Sequence, residues 1–209
     1  MASRVGLLGM LLSATLLVGA AHGEPSGSTA VYTVRVDPRL CPSPLCGGYW
    51  VALANGARTR CADGLRQPRC YAARAVDARG NPLGGIPEGA LARGTIGPGP
   101  DDLGELVTRA VYAPAGTAPV SGGYYRVVDT RIRCVRAPCF SYRATQVNGS
   151  TRTMISGVDL AAARLTARSL ARARAALRTK NGLYVRGGFT TGLDGGRVLH
   201  ATRLFLRAP

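Results

Sequence analysis

The chain has 209 residues, with 27 Lys and Arg against 11 Asp and Glu, and a net charge of +16. A surplus that large favours anionic partners such as nucleic acid, envelope glycans or acidic proteins. Beyond the N-terminal segment His200 is the single histidine, which argues against a multi-histidine metal centre or a histidine-based catalytic triad.

The first segment reads as a secretory signal peptide. Arg4 precedes an apolar run from Val5 to Val18, and small residues follow at Gly19, Ala20, Ala21 and Gly23. That order places cleavage near Gly23/Glu24 and leaves residues 24–209 exported, in a periplasmic or extracellular compartment. All six cysteines lie beyond that point, and an even number in an exported chain implies three bridges.

Two stretches then match at a shift of 93 residues. Tyr32 meets Tyr125, Cys41 meets Cys134, Cys46 meets Cys139, Tyr49 meets Tyr142, and Asn55-Gly56 meets Asn148-Gly149. Further on the shift drifts to 94, matching Gly94 with Gly188 and Thr108-Arg109 with Thr202-Arg203. Such self-similarity indicates a tandem duplication. The expected units are a first repeat at 24–116 and a second at 117–209, joined by a loop, "APAGTAPVSGG", over 113–123.

Within each unit the elements follow in one order. "VYTVRV" and "YYRVVD" alternate like strands. A six-residue Cys ring follows as a tight turn. "GYWVALA" and "SYRATQV" are second strands, and Asn-Gly then supplies a two-residue turn to a hairpin partner. Third strands end near Asp77 and Asp159. A helical or irregular stretch precedes two more strands, "ARGTI" with "LVTRAVYA" and "YVRGGFT" with "LHATRLFL". The fold class is therefore α+β and mostly β. It is a tandem pair of small five-stranded OB-like or sandwich-like domains with one helix, stapled by disulfides.

The additions to each unit are informative. The first carries "CADGLRQPRC", and the second has neither of its cysteines, so Cys61 pairs with Cys70. Cys134 then pairs with Cys139, and Cys41 with Cys46. The second unit carries "LTARSLARARAALRTKNG", a helix capped by Thr166 and stopped at Asn181-Gly182. Its apolar face is Thr166, Leu170, Ala173 and Leu177, with Arg164, Arg168 and Arg172 as a cationic stripe for an acidic surface. Lys180 is the sole lysine, and Ala, Gly and Pro abound, so part of the Arg surplus reads as coding bias. Asn148-Gly149-Ser150 matches the glycosylation triplet.

The quoted ring motifs, "PLCGGYWV", "TRCADG...CYAA" and "RCVRAPCFSY" followed by "SGVDL", resemble an uncharacterised family of exported bacterial domains of unknown function. The resemblance covers most of the mature chain and implies export and no assigned active site. The expected function is a secreted, non-enzymatic binding module for an unknown protein or an anionic envelope polymer. Nucleic acid is a weaker candidate, and neither cofactor nor metal is implied. The candidate contacts are Tyr49, Trp50 and Tyr142 beside the rings and Arg136 inside the second. Two alternatives stand beside it. One is a protease inhibitor presenting Arg136-Ala137 from a braced ring; the other is a polyanion binder using the helix stripe.

Overall fold

In the computed structural model, residues 29–208 are described, and the expected signal peptide lies outside them. The first half holds β1 (Ala30–Val36), β2 (Tyr49–Leu53), a short hairpin of β3 (Thr59–Arg60) and β4 (Arg66–Gln67), β5 (Cys70–Ala72), β6 (Arg74–Asp77), β7 (Leu91–Pro98) and β8 (Gly104–Ala115). The second holds β9 (Gly123–Asp129), β10 (Tyr142–Gln146), β11 (Arg152–Ile155), β12 (Gly157–Asp159), α1 (Ala167–Leu177), β13 (Leu183–Thr191) and β14 (Arg197–Arg207). The protein is mostly β with one α-helix among the described residues.

The two halves pair their strands identically. In the first, β1 lies between β2 and β7, β2 pairs β5, β7 pairs β8, and β6 runs parallel to β8. Strands β5 and β6 are one bent strand, so the pairings return on themselves as β1–β2–β5/β6–β8–β7–β1. That is the strand order of an OB-like barrel. The second half repeats it with β9, β10, β11/β12, β14 and β13, and α1 enters between the third and fourth strands. Tyr32 faces Leu53 in one ladder and Tyr125 faces Gln146 in the other, a shift of 93 at both partners.

The shift is 83 along the third strands, where Tyr71 corresponds to Met154, and returns to 93 in the last two. A bulge follows Arg93 in β7 and Arg186 in β13. A Cβ on Gly94 would strike the Val107 carbonyl, and one on Gly187 the His200 carbonyl, so glycine is required at both bulges. Gly94 therefore corresponds to Gly187, not Gly188, and Thr108-Arg109 to Ala201-Thr202, not Thr202-Arg203. Asp77 and Asp159 are also out of step. Ala75 faces Leu106 and Val158 faces Leu199, which puts Asp159 where Val76 stands.

A local dyad joins the halves. Strand β8 pairs antiparallel with β14, with Ala113 opposite Leu206 at the centre. Ala113–Ala115 are thus strand, not linker; their backbone groups find ladder partners that no local pattern announces.

Each half has its own apolar core. Val34, Val51, Ala72 and Leu106 anchor the first, and Val127, Ile155, Leu183, Leu199 and Leu204 the second. Ala173 and Leu177 of α1 are buried in the second, with Leu170 packed beside them. Thr166 caps this helix through its side chain, which accepts from the Ser169 amide; the helix ends at Leu177, before Asn181-Gly182. A third cluster lies between the halves: Val31, Ala54, Leu91, Tyr112, Val147, Tyr184 and Phe205. Leu91 with Tyr184, Tyr112 with Phe205 and Ala54 with Val147 are dyad-related pairs.

The Asn-Gly turns bind the halves together. Asn55 Nδ2 donates to the carbonyls of Tyr124 and Val147, and its Oδ1 accepts from the Tyr124 amide. Asn148 does the same toward Val31 and Ala54. Asn55 and Asn148 adopt φ of 63° and 57°, a region asparagine tolerates better than other side chains. The amide of the Asn148 triplet is thus committed to the junction.

Candidate functional site

The three disulfides are Cys41–Cys46, Cys61–Cys70 and Cys134–Cys139, with Cα separations of 5.4, 5.3 and 5.5 Å. No free cysteine remains among the described residues. Three disulfides fit an exported protein. No helix among the described residues is long and apolar enough to cross a membrane.

The two small rings sit at equivalent places and differ in how they are held. Each joins the first two strands of its half. The first is docked: Tyr71 donates its hydroxyl to the Pro44 carbonyl at 2.9 Å, and Arg39 Nη2 donates to the Leu45 carbonyl at 2.9 Å. Cys46 is buried. The second ring stands in solvent, with Val135 and Arg136 exposed. Its neighbour Arg133 pairs with Asp129 at 3.0 Å and holds that carboxyl below the usual carboxylate range.

Beside the first ring is a cluster that sequence reading caught only in part. Strand alternation turns Val51 inward and Trp50 outward. Trp50 lies opposite Tyr71 of β5, with ring centroids 5.4 Å apart. The Arg39 guanidinium lies 5.1 Å from both ring centroids, and that of Arg69 lies 4.7 Å from Trp50. Asp37, 4% exposed, accepts from Arg39 Nε and Nη2 and from Trp50 Nε1 at 3.2 Å. Hydrogen bonds from Arg39 hold its carboxyl below the usual range, against the opposing effect of burial.

The same face opens into a cavity of about 250 Å³. Trp50, Tyr71, the Cys61–Cys70 bridge, Asp63, Gln67 and Asp102 line it. Cys61 and Cys70 close the basic hairpin of β3 and β4, which carries Arg60 and Arg66 beside the site. Asp102 and Leu103 come from the turn between β7 and β8. The cavity therefore lies on the outer face of the second and third strands, beside the loops joining strands 1–2 and 4–5. These are the loops and the face that carry ligands in OB-like barrels.

The other candidates disperse. Tyr49 turns inward, packs on the first core, and its hydroxyl accepts from the Ile86 amide. Tyr142 packs on the second core and lines a cavity of about 240 Å³ with Asp129, Arg133, Arg174 and Arg178. Arg164 lines another, of about 410 Å³, with Asp159 and Arg174. Arg168 is exposed on α1, while Arg172 donates to the Arg207 carbonyl. Arg164, Arg168 and Arg172 therefore do not line one groove. Arg174, which spacing places beside the apolar face, borders both cavities.

His200 is not isolated. Its Nδ1 lies 2.8 Å from Asp159 Oδ2 and its Nε2 2.7 Å from Thr190 Oγ1. Strand pairing explains this: Asp159 faces His200 across β12 and β14, and Thr190 lies one diagonal away on β13. The order matches a nucleophile–base–orienter chain, but His200 and Asp159 side chains are 42% and 33% exposed. The adjacent cavity includes Asp159 and neither His200 nor Thr190 in its lining. Burial raises the Asp159 pKa, but hydrogen bonds from the Ala161 amide and His200 outweigh it and bring the carboxyl below its ordinary value.

No curated protein and no solved structure matches the chain. One family model does, over residues 30–208, nearly all of the described chain. The chain therefore belongs to the DUF6748 family, a domain of unknown function.

Proposed function

We propose that this protein is an exported, non-catalytic binding module. Its ligand face is the outer side of β2 and β5 in the first half, and its ligand an acidic glycan of the cell envelope. The observation that carries this reading is the Trp50–Tyr71 pair beside a cavity, with Arg39 fixed over both rings by buried Asp37. An aromatic pair offers apolar contact to sugar rings. Asp63, Gln67 and Asp102 offer hydrogen bonds to hydroxyls, and Arg69 and the hairpin arginines attract carboxylates.

Trp50 is the only tryptophan in the chain, so its fluorescence reports on this face directly. Polygalacturonate should change the emission saturably, more weakly as salt rises, and neutral dextran should not. Arg69→Gln should weaken the response about tenfold. A response to single-stranded DNA that exceeds polygalacturonate would replace glycan with nucleic acid as the ligand. No saturable response to either polymer would sink the reading.

A second reading rests on the exposed second ring, which presents Arg136 without a hydrogen bond or ion pair among the described residues. A protease inhibitor acting there should inhibit a trypsin-like protease, and Arg136→Ala should abolish the effect. Inhibition that survives the substitution removes this reading.

A further inference from the structure

The junction between the halves carries an open cavity of about 390 Å³, the size of a small-molecule pocket. Its walls come from both halves and combine arginines, Arg35, Arg186 and Arg203, with apolar groups, Val120, Phe205 and the ring of Tyr124; the Arg186 guanidinium lies 4.9 Å from the Tyr124 ring centroid.

Two of the three arginines lack a counter-charge. Glu88 is the acidic group in the lining, and it is already engaged by Arg35 Nε at 3.1 Å and the Val36 amide at 2.7 Å. Arg186 donates to the Gly122 carbonyl and the Tyr124 hydroxyl, and neither it nor Arg203 forms an ion pair among the described residues. Arg203 donates from Nη1 to the Gly116 carbonyl and from Nη2 to the Ala118 carbonyl. Its Nε is buried and has no acceptor. A half-buried guanidinium held only by neutral carbonyls keeps an uncompensated charge, and a carboxylate in the cavity it lines offsets that charge without reaching the buried Nε.

The dyad supplies a control within the molecule. At the equivalent positions across the junction, Arg203 becomes Ala110, Tyr124 becomes Val31 and Arg35 becomes Val128, while Arg186 remains an arginine as Arg93. The junction cluster is built around Val31 and Ala110 as well as Tyr124. The fold thus forms that side of the junction without counterparts of Arg203 and Arg35, so packing does not by itself demand those two on the other.

We propose that this cavity binds a small organic carboxylate with an aromatic or apolar body. Arg186 and Arg203 hold the carboxylate, and Tyr124 and Phe205 face the body. Two sources share this chemistry, a free aryl acid and the C-terminus of a peptide. Benzoate and N-acetylphenylalanine represent them.

The test uses the mature protein and the NMR signals of the arginine Nε–H groups. Either probe should shift the Arg203 and Arg186 signals saturably, with a dissociation constant of about 1 mM or below. The tighter of the two identifies the source. Benzyl alcohol, which keeps the ring without the charge, should bind at least about tenfold more weakly. Arg186→Gln should weaken benzoate by about tenfold and Arg168→Gln, on the exposed helix face, should not. Arg203 also pins the linker, so the wild-type titration and Arg186→Gln decide the matter whether or not an Arg203 variant folds. The site is overturned if benzoate produces no saturable shift, or if Arg186→Gln binds it as well as wild type. It is also overturned if inorganic phosphate binds as tightly, which would mark general attraction of anions.

Discussion

At the outer face of the first half, Trp50 pairs with Tyr71; at the equivalent positions of the second, Arg143 pairs with Met154. Asp37, which fixes Arg39, is replaced by Thr130, whose amide makes the same backbone bond as that of Asp37. The inward-facing residues behave differently. Leu106 corresponds to Leu199, Leu91 to Tyr184 and Tyr112 to Phe205, and all six are buried. The two halves share what faces the cores and diverge in what faces water. Interiors tolerate apolar exchange at fixed volume and pattern, whereas an outer face is constrained only by its contacts.

The harshest challenge to that equivalence is truncation of the cores. Leu106→Ala and Leu199→Ala should each cost about 2–5 kcal/mol in denaturant unfolding. Because β8 and β14 share a ladder and a third cluster lies between the halves, both variants should unfold in one cooperative transition. Two separated transitions, each shifted by one substitution alone, would show that the junction does not couple the halves.

Next in size is the reciprocal asparagine grip. Asn55→Ala and Asn148→Ala each leave backbone groups of the other half without a partner and should cost about 1–3 kcal/mol. Chemical denaturation should give matching losses; a neutral result at one site would show that the dyad is not energetically symmetric.

Acid should act on both rings, because Arg133 lowers the pKa of Asp129 as Arg39 lowers that of Asp37. Asp37 has its pKa lowered in the folded protein by Arg39. Its charge therefore stabilises the fold fully above about pH 4, and the contribution disappears as pH falls through the depressed folded value. Wild-type stability should decline on acidification below about pH 4, and Asp37→Asn should decline less steeply. Equal slopes would mean that the Asp37–Arg39 pair does not contribute.

The smaller effects belong to the second half. Thr166→Ala removes the cap of α1 and should lower stability by about 1 kcal/mol in thermal or denaturant unfolding. Thr190→Val should leave any hydrolysis of p-nitrophenyl acetate unchanged, because the proposed function uses no nucleophile there. A loss of measured turnover in that variant would reopen a catalytic role for Asp159, His200 and Thr190.

Much of the fold was legible in the sequence because its causes are local. The strand alternation around Val51, the Thr166 cap and the even set of six cysteines each follow from nearby residues. The absence of two cysteines from the second half pointed to the Cys61–Cys70 pair. The register beyond Gly94 was not legible: a bulge skips one residue, and similar residues on either side let the match slide by one. The candidate site was half legible. Trp50 was marked by its place beside the ring, but Tyr71, Arg39 and Arg69 become neighbours only when β5 pairs with β2. The Asp159–His200 contact is not legible in the sequence, because Asp159 lies 41 residues away and reaches His200 through a parallel pairing.

By itself, then, the sequence determined the β-rich class, the paired rings and the charge. These depend on spacing and on residue type, and both are written along the chain. Tertiary structure alone decided that Ala113–Ala115 join the halves as strand and that Asn55 and Asn148 cross the junction. It likewise placed uncompensated arginines around a shared cavity. The asparagine contacts bring groups together across 69 to 117 residues of chain, and the contacts of Arg186 and Arg203 across 62 to 87. No local preference encodes a partner that far away; only the closing of both ladders supplies it.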